Sequence, residues 1–533
     1  MHYRERMPGT SGERGPFLEV FPKIRNSKFE IRNVRGWSVC YIASNMNGEG
    51  AFSRIAAAVL LLVAAGGFAH AADEESIEEL VTKVGRARWT YDNSVELLAD
   101  PRVAWQTRVD MARRARHHIL ISVFSWHNDD YGRAFRKTLH ETVEERKAAG
   151  SAITVRVLVD ASALGQLSPA FSGLERQGAK VRGFNRSSWG MTPLYGGRMH
   201  DKIMVTDGRE AIVGGRNFSD DYYNPEYWWL DFGVKVRGSA VDDLQMIFLK
   251  SWEFTKFNRR AARFLLPQEM LLDDLRTFWS TGRYPGGKSP LQSFMNTACF
   301  PGWMKAPGSV PVAILYDNPM FRRRAASTDL VTALAERAED RIDLMTPFPN
   351  FPSELTEALA AAVARGVRVR LFVNDRESAI RSGPFLLAGY PTLIRLIEAG
   401  AEVWAWRADK EILGQIAEGE CELPLLPPIA LHGKLVLVDD EISIVHSSNF
   451  NIRSTYYNTE AGAAVLDHSF NRELSDFLDD LVEFRDVEMS CVNGNGYLEI
   501  PALVRRLGPE DIPEMVEELG DKQRFLDAWS VAW

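Results

Sequence analysis

The feature that most constrains this chain is a stretch of alternating apolar residues interrupted by Asp207-Gly208. Alternation indicates two β-strands, and Asp-Gly is a favoured two-residue turn, so the stretch is predicted to form a hairpin. With this turn, His200 lies opposite Gly215, and Lys202 and Asn217 lie two residues along the two strands on the same face. One face therefore combines an imidazole, a fixed cation and an amide, with no bulk opposite the imidazole. A phosphoryl-transfer site requires groups of these kinds.

The same pattern occurs again 232 residues later, as His432, Lys434 and Asp439, followed by Ser447 and Asn449. With the second turn at Asp439, His432 faces Ser447 as His200 faces Gly215. The alternative is that two core hairpins contain histidine by chance. Two matches with the same spacing favour a duplicated unit in which each copy supplies half of one site.

These residues resemble the signature of the phospholipase D superfamily, a doubled His-x-Lys-x4-Asp followed by Gly-Gly/Ser-x-Asn. The runs 214–222 and 453–460 are most similar to those of the bacterial cardiolipin synthases of that superfamily, and the resemblance extends from about Asp100 to Asp486. It departs at His446, where the family usually has glycine; the parity of that position directs the side chain away from the proposed catalytic face. The resemblance implies an α/β fold with two similar α/β/α halves packed about a pseudo-two-fold axis and one active site at their interface.

Each hairpin is also followed by a carboxylate at a similar distance. Asp231 and Glu460 come 31 and 28 residues after the histidines, both in apolar strand contexts. A carboxylate that accepts the N–H of one imidazole nitrogen would fix the tautomer and leave the other nitrogen for chemistry. The resemblance implies the same role, and a charge on an edge strand is the alternative.

The apolar periodicity predicts a strand, helix, strand unit ahead of each hairpin. The strands are predicted at 117–124, 153–160, 342–346 and 367–373, and the helices at 103–116, 133–149, 330–339 and 353–365. We accordingly predict an N-terminal half at 72–255, an irregular linker at 256–310, a C-terminal half at 311–486 and a tail at 487–533.

The N-terminal segment is not predicted to belong to the fold. An arginine, an apolar run and an Ala-His-Ala sequence at 46–71 are typical of a secretory signal peptide. Because a signal peptide begins near a start codon, we interpret residues 1–45 as a non-native leader upstream of the true start, Met46. We then expect the protein to be exported to the periplasm or secreted, either free or held at the membrane surface, with an uncleaved anchor as the alternative.

Composition argues against several other classes. A net charge of −8 disfavours a protein that grips nucleic acid, so no nucleic-acid partner is expected. The sequence shows no metal-binding pattern, and we predict no metal and no cofactor. A run matching Gly-x4-Gly-Lys-Ser occurs at 282–289, but it follows a predicted amphipathic helix and precedes proline, which argues against a nucleotide-binding loop. Outside the leader, three cysteines allow at most one disulfide.

Aromatic residues are frequent near the first hairpin. They either pack in the core and loops or form an interfacial rim that reaches phospholipid headgroups. They are Trp189, Tyr195, Tyr222, Tyr223, Tyr227, Trp228 and Trp229.

The predicted mechanism uses both copies of the motif in a protein that acts as a monomer on phospholipid at a membrane surface. One histidine, with His200 preferred and His432 as the alternative, attacks phosphorus to form a phosphohistidine. The other protonates the leaving alcohol and then activates the acceptor. The two lysines and the two asparagines would hold the non-bridging oxygens. The histidines should start in opposite protonation states, which predicts a bell-shaped pH profile. The motif aspartates, Asp207 and Asp439, are retained among the candidate catalytic residues, although their turn positions favour a structural role.

The acceptor remains open at this point, because water would make the protein a phospholipase D and the headgroup of phosphatidylglycerol would make it a cardiolipin synthase. A metal-independent phosphodiester nuclease is the alternative of a different class. A catalytically inactive lipid-binding module is disfavoured by the two intact motifs.

Overall fold

The computed structural model describes residues 29–34, 37–42, 75–164, 168–185, 197–264, 308–319, 324–376, 378, 383–408, 414, 427–483, 489–493, 496–500 and 503–522. The chain divides into two compact units, Met1–Glu74 and Glu75–Trp533. In the first unit, β1 (Phe29–Val34) and β2 (Trp37–Ile42) form an antiparallel hairpin. The predicted signal segment, the run at 282–289, Trp189, Tyr195, Cys299 and Cys421 lie outside the described residues.

The second unit contains both halves of the predicted repeat. In the first half the strands are β3 (Trp89–Leu98), β4 (His118–Val123), β5 (Thr154–Asp160), β6 (Lys180–Phe184), β7 (Ile203–Thr206), β8 (Glu210–Gly214), β9 (Trp229–Leu230) and β10 (Gly233–Arg237). Its helices are α1 (Ile77–Lys83), α2 (Pro101–Arg114), α3 (Asp130–Ala148), α4 (Ala161–Leu164), α5 (Ser168–Arg176) and α6 (Ala240–Phe264).

The second half repeats this order and adds elements at its end. Its strands are β11 (Val310–Asp317), β12 (Arg341–Met345), β13 (Arg368–Asn374), β14 (Glu402–Trp406), β15 (Ala430–Leu431), β16 (Leu435–Val438), β17 (Ile442–His446), β18 (Glu460–Val465), β19 (Met489–Asn493), β20 (Gly496–Ile500) and β21 (Val504–Leu507). Its helices are α7 (Ala326–Arg337), α8 (Ser353–Ala364), α9 (Gly383–Ala399), α10 (Ile452–Tyr456), α11 (His468–Glu483) and α12 (Ile512–Leu519).

The two halves share one fifteen-stranded sheet, in the order β21-β14-β13-β12-β16-β17-β18-β11-β3-β10-β8-β7-β4-β5-β6. Its centre is the antiparallel pair of β3 and β11, which joins the halves. Outward from that pair the strands correspond one to one, β10 with β18, β8 with β17, β7 with β16 and β4 with β12. The predicted two-half α/β organisation about a pseudo-two-fold axis is therefore confirmed.

Helices cover both faces of the sheet, as expected for strands buried on both sides. One apolar core spans the two halves: it lies between the sheet and helices α6 and α11, and it contains Val205, Val234, Leu437 and Val465. The opposite face carries a separate core in each half, under α2 and α3 in the first and under α7, α8 and α9 in the second. The shared core binds the halves into one rigid scaffold for a site between them.

The eight predicted helices and strands are all present, with ends shifted by up to four residues. Helix α2 begins at Pro101, earlier than predicted, because the side chain of Asp100 caps it by accepting from the N–H groups of Arg102 and Val103. One element was missed and two boundaries were wrong. The segment before α2, for which no helix or strand was predicted, contains the central strand β3. The predicted linker begins as the last part of α6, which runs to Phe264, and the predicted tail supplies an edge strand, β21, that pairs with β14.

The hairpin register was also predicted wrongly, by one residue. Thr206 pairs with Glu210, and Val438 pairs with Ile442, so each turn holds three residues rather than two. Asp207 and Gly208 both have positive φ, 54° and 64°, and the N–H of Arg209 bonds to the carbonyl of Thr206. The extra residue after this tight turn shifts every pair along the hairpin.

The motif aspartates bind the backbone of neighbouring loops and are not placed for catalysis. Asp207 accepts from the backbone N–H groups of Arg116, His117 and His118 at 2.8, 2.7 and 2.9 Å. Asp439 does the same in the other half. Each carboxylate thus fixes the entry into a neighbouring strand, β4 or β12, at the turn of its hairpin. Their inclusion among the catalytic candidates is corrected to a structural role.

Asp439→Ala is predicted to destabilise the fold. It would leave the N–H groups of Glu339, Asp340 and Arg341 without their acceptor, and it would place alanine at a positive φ of 49°. We expect the free energy of unfolding, measured by urea denaturation, to fall by about 2–4 kcal/mol. Asp440→Ala, in the same turn, is the matched control and should have little effect; equal losses in the two variants would contradict the capping role.

Candidate active site

Short backbone pairings join each histidine segment to the opposite half. Met199 forms a parallel bridge with Thr459, and the N–H of His200 donates to the carbonyl of Thr459 at 2.9 Å. In the same way β15 runs parallel to β9, and the N–H of His432 donates to the carbonyl of Leu230 at 2.7 Å. Because residues 231 and 460 come next in the chain, this pairing places each carboxylate beside the histidine of the other half.

The two carboxylates orient the two histidines in this crossed arrangement. His200 Nδ1 lies 2.9 Å from Glu460 Oε2, and His432 Nδ1 lies 2.5 Å from Asp231 Oδ2. Both carboxylates are fully buried. A carboxylate at Nδ1 fixes that nitrogen as the donor and leaves Nε2 as the reactive nitrogen. The spacing in the sequence indicated the residues but not which carboxylate serves which histidine.

Gly215 and Ser447 have roles different from the predicted clearance opposite the imidazoles. A Cβ on Gly215 would lie 2.1 Å from Asp231 Oδ1, so the glycine makes room for the carboxylate. At the corresponding position Ser447 Oγ donates to Glu460 Oε2 at 2.5 Å. Ser454 Oγ, which the sequence did not indicate, donates to Glu460 Oε1 at 2.8 Å. Both positions therefore act on the carboxylates.

The lysines lie next to the histidines. Lys202 and Lys434 each donate from Nζ to the carbonyl of the histidine two residues earlier. Lys434 Nζ also lies 3.2 Å from His432 Nε2 and 3.6 Å from Asp231 Oδ2. Two buried ammonium groups thus supply positive charge at the two imidazoles.

One cavity of about 630 Å³ lies between the halves and contains both histidines and both asparagines. Asn217 accepts from Ser125 N at 3.1 Å and donates from Nδ2 to the Tyr222 hydroxyl at 3.0 Å. Asn449 Oδ1 has no hydrogen-bond partner among the described residues. The remaining lining is formed by Phe124, Ser125, His127, Ser162, Arg198, Ser219, Asp221, Tyr222, Trp229, Phe348, Phe385, Asn451, Arg453 and Asn458.

Known proteins share these sequence features and this fold. A family model described as "Cardiolipin synthase, PLD-like domain" matches residues 331–482. Cardiolipin synthase A of Pseudomonas fluorescens is 28% identical over 403 residues, which cover 74% of this chain and 70% of the relative. Cardiolipin synthase B of Escherichia coli K12 is 26% identical over 406 residues, covering 74% of this chain and 82% of the relative. The chain is thus similar in sequence to proteins of the phospholipase D superfamily, as its doubled motif implied.

A solved structure supports the same fold assignment. The phosphatidylserine synthase of Haemophilus influenzae Rd KW20 aligns with a TM-score of 0.57 at 15% identity, and the alignment covers 86% of this chain and all of that one. The shared architecture is the phospholipase D fold that the doubled motif implied.

Burial and the neighbouring lysines lower the pKa values of both imidazoles. Burial lowers the pKa of His200 to about 4, against the opposing effect of Glu460, and burial together with Lys434 lowers that of His432 to about 3. Burial raises the pKa values of Asp231 and Glu460, but their cationic and histidine partners lower them to about 2. These shifts favour the neutral form of each imidazole in the unliganded site, and the opposite protonation states of the two histidines stay a prediction.

The aromatic residues near the first hairpin divide into two groups. Tyr223 and Trp228 are buried in the core, whereas Tyr222 and Trp229 line the cavity. Phe124 packs edge-on against His200, with ring centroids 5.2 Å apart. The sequence did not indicate Phe124. His446 is buried and accepts from Ser448 N at 2.9 Å through Nδ1. Its backbone N–H donates to the carbonyl of Lys434 at 3.0 Å, so the observed register places it opposite Lys434. The prediction that its side chain points away from the catalytic face rested on the two-residue turn and is wrong.

Among the described residues no group of three or more His, Cys, Asp and Glu side chains is placed to hold a metal ion. In the same part of the chain no helix is long and apolar enough to cross a membrane.

Glu460→Gln is predicted to disturb His200 and not His432. Replacing the carboxylate removes the partner that fixes the His200 tautomer, so the ¹⁵N resonances of its imidazole should move toward those of a mixture of tautomers. Asp231→Asn is the matched control and should produce the corresponding change at His432. The spectra would be recorded on histidine-labelled protein at neutral pH, and a His200 response to Asp231→Asn alone would contradict the crossed pairing.

Anion binding to the site is predicted to weaken as the pH rises. Burial lowers the pKa of Lys202 to about 7 and that of Lys434 to about 8. Each lysine carries its proton below its pKa and loses it above, so the site loses positive charge across this range. Calorimetric titration with sulfate, whose own charge stays constant, should show affinity falling by about tenfold or more between about pH 6 and about pH 9.

Lysine variants provide the control for that titration. Lys434→Met should bind sulfate weakly at every pH, whereas Lys137→Met, on an exposed face of α3, should behave as the wild type. If sulfate binding by the double variant, Lys202→Met with Lys434→Met, still weakened as the pH rises, the pH dependence could not be assigned to these lysines.

Proposed function

We propose that this chain is a phosphatidyltransferase of the cardiolipin synthase type, which moves a phosphatidyl group from one phospholipid to the headgroup alcohol of another. The observation that carries the proposal is the crossed pair of carboxylate-bound histidines, which face one cavity from two halves. One imidazole can attack phosphorus while the other handles the proton of the alcohol. The sequence similarity to cardiolipin synthases supports phospholipid as the substrate.

In the first step His200 Nε2 attacks the phosphorus of a phosphodiester. The N–P bond forms, the P–O bond to the leaving headgroup alcohol breaks, and His432 supplies the proton that the alcohol takes away. Glu460 stabilises the charge that develops on the His200 ring, as a carboxylate does at the Nδ1 of other reactive histidines. The product of this step is a phosphohistidine.

The proton on His432 depends on the substrate. Burial favours the neutral form of both imidazoles in the unliganded site, and a bound phosphodiester brings a negative charge that raises the pKa of His432. The protonated acid is thus formed with the bound substrate. Lys202, Lys434, Asn217 and Asn449 hold the non-bridging oxygens as charge accumulates in the transition state.

The second step reverses the first with a different alcohol. His432, now neutral, removes the proton of the acceptor hydroxyl as its oxygen attacks phosphorus and the N–P bond breaks. With phosphatidylglycerol as donor and acceptor the products are cardiolipin and glycerol. With water as acceptor the product is phosphatidic acid, the hydrolytic outcome of the same chemistry.

We also propose that the protein works outside the cytoplasm at a membrane surface, as a monomer whose single chain supplies both histidines. The signal-like sequence at 46–71 supports export. Tyr222 and Trp229 on the cavity wall provide amphipathic rings of the kind found at lipid interfaces.

Vesicles of phosphatidylglycerol labelled in the headgroup test the proposal. The full chain should release glycerol and form cardiolipin, and His200→Ala or His432→Ala should reduce the rate by about 1,000-fold or more. His140→Ala, at an exposed position on α3, is the matched control and should stay within about twofold of the wild type. Because the lysines supply the positive charge, excess EDTA should leave the rate unchanged.

Parallel incubations with phosphatidylcholine vesicles and with DNA define the substrate class. DNA cleavage without lipid turnover would overturn the proposal in favour of a nuclease. Loss of lipid turnover in EDTA would overturn the part of the mechanism that assigns the charge to the lysines.

A further inference from the structure

The environment of His432 Nε2 differs from that of an open catalytic nitrogen. The Tyr222 hydroxyl lies 3.5 Å from it, and Lys434 Nζ lies 3.2 Å from it. The Tyr222 ring is nearly perpendicular to the imidazole, with centroids 5.2 Å apart, and the Trp229 ring lies at 5.4 Å and is tilted by 30°. Tyr222 is itself only 3% exposed. The reactive nitrogen therefore lies in an aromatic corner of the cavity.

The hydrogen bonds around Tyr222 have a defined direction. Asn217 Nδ2 donates to the Tyr222 oxygen at 3.0 Å, which leaves the phenol hydrogen for another acceptor. Asp231 Oδ2 lies 2.5 Å from His432 Nδ1, and Lys434 Nζ lies 2.6 Å from the same nitrogen. Because an ionised carboxylate can only accept, we assign the ring proton to Nδ1, which leaves Nε2 as the accepting nitrogen of the neutral ring. The phenol hydrogen consequently points to the position that the proton of an acceptor hydroxyl must reach.

Among the residues that the structure describes, no hydroxyl takes the equivalent position at His200. The residue 232 positions after Tyr222 is Ser454, and its Oγ donates to Glu460 at 2.8 Å, on the carboxylate side of the histidine. The neighbour of His200 in the cavity is the apolar edge of Phe124. The two histidines are thus equivalent in their carboxylates and different at the side that faces a substrate.

This corner favours an alcohol over water. The carbon atoms of an alcohol cover the Tyr222 and Trp229 rings when its hydroxyl enters, whereas water leaves those rings uncovered. The free energy of binding thus selects a hydroxyl carried on a carbon chain.

We infer that the corner formed by Tyr222, Trp229 and His432 is the acceptor subsite, that it binds the hydroxyl of a polyol headgroup, and that Tyr222 is the positioning residue that excludes water. The inference rests on the proposed function and concerns the second step. There the alcohol oxygen forms the new P–O bond, the N–P bond electrons return to His200 Nε2, and the alcohol proton passes to His432 Nε2. Water in the same position undergoes the same exchange and yields phosphatidic acid.

Tyr222→Phe tests the inference, because it removes only the hydroxyl. The change leaves Asn217 Nδ2 without its acceptor and opens a space of one oxygen atom beside Nε2. A water that enters there can accept from Asn217 and donate to His432, which places it for attack. With phosphatidylglycerol vesicles and the full chain, the ratio of phosphatidic acid to cardiolipin should rise by about tenfold.

Tyr223→Phe is the matched control for this experiment. Tyr223 is fully buried next to Tyr222, and its hydroxyl has no hydrogen-bond partner among the described residues. The same substitution there should leave both the rate and the product ratio unchanged. Thermal unfolding of the two variants verifies that both are folded.

A second measurement uses only the wild-type protein. Added ¹⁴C-glycerol should compete as an acceptor and give labelled phosphatidylglycerol at the expense of cardiolipin, with no increase in phosphatidic acid. These results together would support the acceptor subsite.

The outcomes separate the two proposals. Lipid turnover that requires His200, with a product ratio that Tyr222→Phe does not change, would overturn the acceptor subsite and leave the proposed function in place. A wild-type protein that forms mainly phosphatidic acid would also overturn the subsite. Absence of His200-dependent lipid turnover would overturn the proposed function itself.

Discussion

The structure depends on two buried charge contacts that cross between the halves, His200 with Glu460 and His432 with Asp231. A buried carboxylate is costly unless it is paired and hydrogen-bonded, and removal of one partner of such a pair typically costs about 3–5 kcal/mol. Each carboxylate reaches its histidine only when the other half is in place. The halves therefore must assemble to bury these groups, and the catalytic geometry forms in the same event.

The shared sheet makes that assembly rigid. Strands β3 and β11 pair at its centre, and the core under α6 and α11 extends across the junction. Between these and the cavity, the parallel pairings at Met199 and Leu431 fix the histidine segments by backbone hydrogen bonds. Backbone pairing sets position more tightly than side-chain contacts do, because it removes the dihedral freedom of the segment. The site is therefore preorganised for a reaction in which charge moves across the interface.

Much of the fold could be predicted from the sequence, because the patterns that predict helices and strands are local in the chain. Apolar periodicity reports local structure, so the paired helices and strands of both halves were predicted, and a repeat of 232 residues indicated the two-fold organisation. Strand β3 was missed because Asp92, Asn93 and Glu96 interrupt its apolar pattern, and Asn93 is buried by bonds to β11 that the sequence does not show. The predicted hairpin register was wrong because one residue beyond a two-residue turn changes every residue pair between the two strands. Asp231 and Glu460 each contact the histidine of the opposite half. This is a tertiary contact, and no local sequence pattern indicates it.

Duplication gives two similar halves, but the reaction requires two different histidines, and the differences lie where the halves meet. Asp201 accepts from Thr459 Oγ1, whereas a Cβ at the corresponding Gly433 would lie 2.7 Å from the ring of Phe232. Such a contact means that each half was shaped by its particular neighbour and not by a common template. An interface that already distinguishes the halves in packing can also distinguish them in chemistry, because the same side chains that fill it reach the cavity. The asymmetry of the two catalytic nitrogens is thus a consequence of how the interface is packed.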